Sequence, residues 1–222
     1  MAHDTNVTLR SFGVLFAMLL VARQAPTQVI DRATCGVVPD QNLIVFVGRK
    51  LDVQSFSPEY QPGSIPMDYA FRARYQVLDV LCGDLQTPEV EFEAYDHYGT
   101  PGFSKFETVL LFLSRADGRF YHQKYQYSDV YETRDGSWAG CGDPYKLEPD
   151  VHRGTIRAKP ITYKQPVTFS VRGLTEEQIR KWYSPDFFHR QDSTVVCRAG
   201  APVWDLFAVK RAGVLKARGL FQ

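Results

Sequence analysis

Long apolar runs are scarce in this chain of 222 residues, and its few cysteines never come in close pairs. The longest apolar stretch, Ser11 to Ala22, has 12 residues. A bilayer-spanning helix needs about 20, so no segment reads as a transmembrane anchor. The four cysteines, Cys35, Cys82, Cys141 and Cys197, are widely separated. That spacing excludes a zinc knuckle and a thioredoxin-type redox pair, both of which need Cys-x-x-Cys. Also missing are a Gly-x-Ser-x-Gly elbow, a His-Glu-x-x-His motif and a phosphate-binding glycine loop, which removes the commonest hydrolase, metalloprotease and nucleotide signatures. Gly and Pro stay near ordinary usage and apolar residues make up 44%, so the chain is globular.

What is present begins with the apolar run itself. Arg10 precedes it, partly offset by Asp4, and Leu20 and Ala22 suit the positions before a cut. Residues 1–22 therefore read as a secretory signal peptide, and residues 23–34 as a linker. Export changes the meaning of four distant cysteines, because disulfides persist in the periplasm and outside the cell. Two structural disulfides are expected, with three pairings open. The mature chain is expected to be periplasmic or extracellular, without a membrane anchor.

Net charge is only +1, but it is unevenly distributed. Residues 23–150 hold 12 Lys and Arg against 19 Asp and Glu, whereas residues 151–222 hold 13 against 5. Either the two halves dock on each other or the basic one meets an anionic surface.

Alternation of apolar residues marks the strands. Leu43, Val45, Val47, Leu51 and Val53 share one face, with a bend or bulge at Gly48. Tyr69, Phe71, Ala73, Tyr75 and Val77 face inward in the next run, and Val90, Phe92 and Ala94 in a third. "TVLLFLS", residues 108–114, is apolar throughout and reads as a strand buried on both faces. Asp117-Gly118 favours a two-residue hairpin, and Asp135-Gly136 repeats the device. Past Pro149 the pattern becomes strand, helix, strand. Thr175-Glu-Glu-Gln178 is a capping box opening a helix to about Tyr183. "STVVCRAG" reads as a strand, and residues 203–221 as strands turning near Gly213.

This order, with "VFVGRKLDV", "AFRARYQVLDVLCGD" and "TVLLFL" between cysteines, resembles the oligonucleotide/oligosaccharide-binding (OB) type barrel of tissue inhibitors of metalloproteinases and netrin modules. The resemblance covers residues 35 to about 145. It implies a mainly β protein, with an OB-like five-stranded barrel over 35–148 and a small, basic α+β module over 149–222. The family's inhibitors use the α-amino group of an amino-terminal Cys-x-Cys to chelate zinc. Here Cys35-Gly36-Val37 lacks the second cysteine and lies past the expected cut, so zinc blocking is not expected. By analogy with the family, Cys35 pairs with Cys141, leaving Cys82 for Cys197.

Candidate chemistry is sparse. Asp96-His97-Tyr98, with His122 on the neighbouring hairpin, is the best catalytic-looking cluster, although adjacent strand residues point to opposite faces. Cys82 as a thiol nucleophile yields to its role in a crosslink. Asp143, Glu148, Asp150 and His152 are close in sequence but lack a ligand spacing, so no metal or other cofactor is expected. Tyr121, Tyr125, Tyr127 and Tyr131 form an aromatic stripe, a candidate edge for protein or glycan; nucleic acid is disfavoured by the acidic barrel. Lys210, Arg211, Lys216 and Arg218 are candidates for contact with an anionic envelope polymer or lipid. The leading expectation is an exported, non-enzymatic binding protein. The alternatives are an envelope hydrolase centred on His97 or His122 and a passive structural component.

Overall fold

The computed structural model describes Met1, Cys35, residues 42–59, Gly63 and residues 65–221. The expected signal peptide and linker lie outside these residues, Met1 excepted. The protein is mainly β. Five strands close a barrel in the order β1-β2-β3-β5-β4: β1 (Leu43–Phe56), β2 (Tyr69–Cys82), β3 (Glu89–Asp96), β4 (Thr108–Ala116) and β5 (Arg119–Asp129). Neighbours are antiparallel except β3 and β5, which run parallel where Glu93 meets Tyr121. The hairpin joining β4 to β5 turns at Asp117 and Gly118, both at positive φ (49° and 74°), as the Asp-Gly signal predicts. Gly48 sits at a register shift in β1, where a Cβ would come within 2.8 Å of the Phe46 ring.

Two apolar layers share the walls of this barrel. Ile44, Phe46, Phe71, Ala73, Tyr75, Val90, Phe92, Val109, Leu111 and Leu113 fill the interior, with Phe103 from the 3-10 turn Gly102–Lys105 as a plug. Leu43, Val45, Val47, Leu110 and Phe112 face outward and are equally buried. Alternation sends successive side chains to opposite faces, so an uninterrupted apolar strand needs a cover on each. "TVLLFLS" meets that need. Tyr69 is an exception to the inward set, being largely exposed at the barrel's end.

The outer cover corrects one expectation. Residues 203–221 form helix, not strands: α2 (Val203–Lys210) continues through Arg211–Leu215, bending at Gly213 (φ −99°, ψ −108°). Val203, Leu206, Phe207 and Lys210 recur at helical period and all are buried. Strand-like residues disguise that period. Val203, Leu206 and Phe207, with Leu215, Leu220 and Phe221, pack on the outer face of β1 and β4, Phe207 lying 6.1 Å from Phe112.

Beyond the barrel stand two small sheets. One has the order β6-β7-β12-β8, formed by β6 (Tyr131–Glu132), β7 (Trp138–Cys141), β8 (Lys159–Pro160) and β12 (Ala199–Pro202). The other has the order β10-β11-β9, formed by β9 (Thr168–Ser170), β10 (Phe188–Gln191) and β11 (Thr194–Cys197). Between β9 and β10 lies α1 (Glu176–Trp182), opened by the complete Thr175/Gln178 capping box that the sequence announces. Because β7 pairs with β12, the carboxy-terminal region shares a sheet with the segment following the barrel.

Both expected disulfides form, but the pairing implied by the family analogy does not. Cys35 is bonded to Cys82, and Cys141 to Cys197. Cys82 closes β2 opposite Val45 of β1, which carries it to the amino-terminal approach of β1. Cys141 faces Gly200 on β12, three residues after Cys197. Strand pairing therefore selects the partners.

Candidate functional site

The first candidate is a ridge at one end of the barrel. β2 begins there and β3 ends there, Tyr69 standing opposite Asp96. Asp96 accepts the backbone N–H of Tyr98 at 2.8 Å, so its carboxylate closes a turn instead of orienting His97. The His97 ring donates through Nδ1 to the Met67 carbonyl at 2.7 Å, tying the approach to β2 against the end of β3. β5 supplies the third side through an irregular stretch. Leu113 pairs with His122 and Leu111 with Tyr127, so four residues of β5 bulge opposite Phe112 alone. At the bulge Tyr125 takes φ +67°, a sparsely populated conformation for an aromatic residue. Its ring lies 6.0 Å from that of Tyr98. Ile65, Met67, Tyr69 and Tyr98 are exposed by 64–85%, and Tyr125 by 40%. Lys124, held by Asp68 at 2.6 Å, lies over the Tyr125 ring at 5.3 Å. That hydrogen bond raises the Lys124 pKa.

Behind the same bulge is a buried polar cluster. Gln126 turns inward; its carbonyl accepts from His122 Nε2 at 2.8 Å, and its side-chain oxygen accepts from Lys210 Nζ at 3.1 Å. Lys210 is also ion-paired with Glu148, and both side chains are almost completely buried. His152 Nδ1 is 3.5 Å from Glu148 Oε2. Burial lowers the Lys210 pKa, with Glu148 opposing the effect. The His122 pKa falls to about 4, chiefly through burial, because its ring packs 4.6 Å from Phe103 inside the barrel. His122 is thus a half-buried, neutral residue whose ring packs on the barrel core and whose one donor is engaged.

The third feature is a cleft of about 710 Å³ between the barrel and the β9/β10 sheet. Phe106 and Tyr127 line one side, and Phe169, Tyr183 and Phe188 the other. At its floor the buried Asp129 carboxylate pairs with Lys146 at 2.6 Å and accepts from the Tyr131 hydroxyl at 3.1 Å. Burial and the neighbouring Asp129 hold the Tyr131 hydroxyl well above the usual phenol pKa.

The structure scatters the residues singled out from the sequence. Of the tyrosine stripe, Tyr125 joins the ridge, Tyr127 packs in part against the barrel core, and Tyr131 against the Cys141–Cys197 cluster. Tyr121 is half-buried at the β3–β5 seam. Lys210 is corrected outright: it is an interior residue, not part of a surface patch, because α2 turns it toward Glu148. Arg211 lies over Phe221 at 5.1 Å, and Arg218 donates to Gln123 and to the Lys124 carbonyl. Lys216 alone of the four is exposed without such contacts among the described residues. The acidic residues of 143–150 are likewise engaged, Asp143 with Arg153 and Glu148 with Lys210. No group of three or more His, Cys, Asp or Glu among the described residues is arranged to hold a metal ion. Sequence reading missed Met67, Asp129, Lys146 and Trp182 as site residues. Only Trp182, a bulky aromatic at a helix end, carried a local signal. No family model, no curated protein and no solved structure matches this chain.

Proposed function

We propose that this is an exported, disulfide-braced binding protein whose barrel end captures a protein partner without transforming it. The observation that carries the reading is the ridge of Ile65, Met67, Tyr69, Tyr98 and Tyr125, contributed by three separate strands or their approaches. Tyr and Met are enriched in protein interfaces, Tyr because it orders a large contact area at low entropic cost and Met because it adapts to the opposing surface. Exposed apolar side chains gathered at one end of the barrel and flanked by an ion pair fit that role better than solvent contact. Tyr125 supports it further, since backbone strain concentrates where a side chain must be presented. The histidines that would serve a hydrolase donate to main-chain carbonyls: His97 to Met67 and His122 to Gln126. Export accords with two disulfides, and no helix among the described residues is long and apolar enough to cross a membrane. We read the barrel as the type found in netrin modules, on its strand order and the motifs quoted above.

The test compares the wild-type chain with Met67→Ser/Tyr98→Ser/Tyr125→Ser. Each is immobilised and exposed to envelope and extracellular fractions of the source cells, and retained proteins are identified after crosslinking. The expected result is one partner held by the wild type and lost from the variant at unchanged melting temperature. Identical retention by both chains would remove the ridge from the account. Amino-terminal sequencing of the released product, expected to start near residue 23, tests export.

A further inference from the structure

We propose that the cleft between the barrel and the β9/β10 sheet is a second binding site, for a short neutral saccharide. It is independent of the ridge. Its volume, about 710 Å³, lies in the range of ligand sites, and its walls are aromatic with a few convergent polar groups. Trp182 stands at its rim, 53% exposed, its indole without a ring contact or hydrogen bond among the described residues. An indole that exposed leaves an apolar face and an N–H donor open to a ligand.

The polar groups decide the chemistry. At the floor, one oxygen of Asp129 meets Lys146 and the other accepts from Tyr131, so each retains a free acceptor site. An aliphatic ligand would strip water from the exposed Lys146 head beside the buried Asp129 carboxylate and return nothing. A polyanion is equally ill suited, because Lys146 is paired with Asp129 and Arg153 with Asp143 at 2.8 Å. Among the described residues only Lys181 adds an unpaired cation to the lining. A sugar ring meets both conditions. Its C–H face carries slight positive charge and suits the negative faces of aromatic rings, while its hydroxyls donate to a carboxylate.

Calorimetric titration with trisaccharides built from glucose, N-acetylglucosamine, galactose and mannose tests the site. At least one is expected to bind at millimolar concentration or below. Trp182→Ala should weaken it about tenfold, with partial rescue by Trp182→Phe. Asp129→Asn should weaken it while the melting temperature shows that the fold persists; if that variant unfolds, the Trp182 pair alone decides. The ridge variant should bind the saccharide unchanged, which separates this site from the protein-binding reading. The proposal is overturned if no member of the panel binds or if Trp182→Ala binds equally well.

Discussion

His122 and Lys210 are ionisable groups placed where charge is costly, and each is accommodated differently. His122 stays neutral: its folded pKa of about 4 lies below its ordinary 6.5. Between those values the unfolded chain binds a proton that the folded chain refuses. The stability this histidine contributes is therefore present above about pH 6.5 and is lost as pH falls toward 4, by up to about 3 kcal/mol. Thermal melts across that window should fall more steeply for the wild type than for His122→Gln, and parallel curves would refute the assignment. Lys210 is instead paired with Glu148, which opposes the lowering of its pKa by burial. Lys210→Met leaves that buried carboxylate with only the His152 ring beside it and should cost about 3–5 kcal/mol in urea denaturation. Lys210→Met/Glu148→Leu should recover most of the loss, because a well-packed apolar pair needs no counter-charge. A double variant as unstable as the single one would show that the cluster acts through packing.

At the scale of elements, strand pairing and crosslinks reinforce one another. Each disulfide closes a loop with a sequence separation of 47 or 56 residues, worth about 4 kcal/mol in the chain-entropy account. Peptide mapping without reduction should recover Cys35 linked to Cys82 and Cys141 linked to Cys197. A Cys35–Cys141 peptide would restore the pairing implied by the family analogy. The second crosslink lies beside a close approach of two backbones, where a Cβ on Gly200 would overlap the Gly140 carbonyl oxygen. That oxygen also accepts from the Tyr163 hydroxyl at 2.8 Å. Gly200→Ala is therefore expected to part β7 from β12 and to make Cys141–Cys197 readily reducible, an effect that thiol titration under mild reductant reads directly.

The whole molecule accounts for the uneven charge. Basic residues of the carboxy-terminal region reach acidic partners before residue 150: Lys210 to Glu148, Lys164 to Glu132 and Arg153 to Asp143. Beneath them, α2 and the chain end cover the outer apolar face of β1 and β4. A chain ending after Pro202 would expose that face and should aggregate or bind hydrophobic dye, whereas a soluble monomer would mean the cover is dispensable. At the rim of the ridge Lys124 is paired with Asp68, and Arg218 is held by the Lys124 carbonyl and Gln123. Partner capture is accordingly expected to survive high salt, and its loss would shift the contact to the basic residues.

Patterns with a period of two or a fixed local chemistry were legible in the residues alone. The alternation of Val90, Phe92 and Ala94, the hairpin at Asp117-Gly118, the bend at Gly48 and the capping box at Thr175 depend on neighbours within a few positions, and all stand where the sequence placed them. So did the double-sided burial of residues 108–114, because an apolar strand needs two covers. What supplied the second cover was not legible, since α2 is rich in residues that also favour strands. Disulfide partners, the interior position of Lys210 and the meeting of Met67, Tyr98 and Tyr125 depend on contacts between residues far apart in the chain. Tertiary pairing decided those: closure of the barrel brings Cys82 beside the start of β1 and gathers the ridge, the β7–β12 pairing joins Cys141 to Cys197, and the docking of α2 turns Lys210 inward.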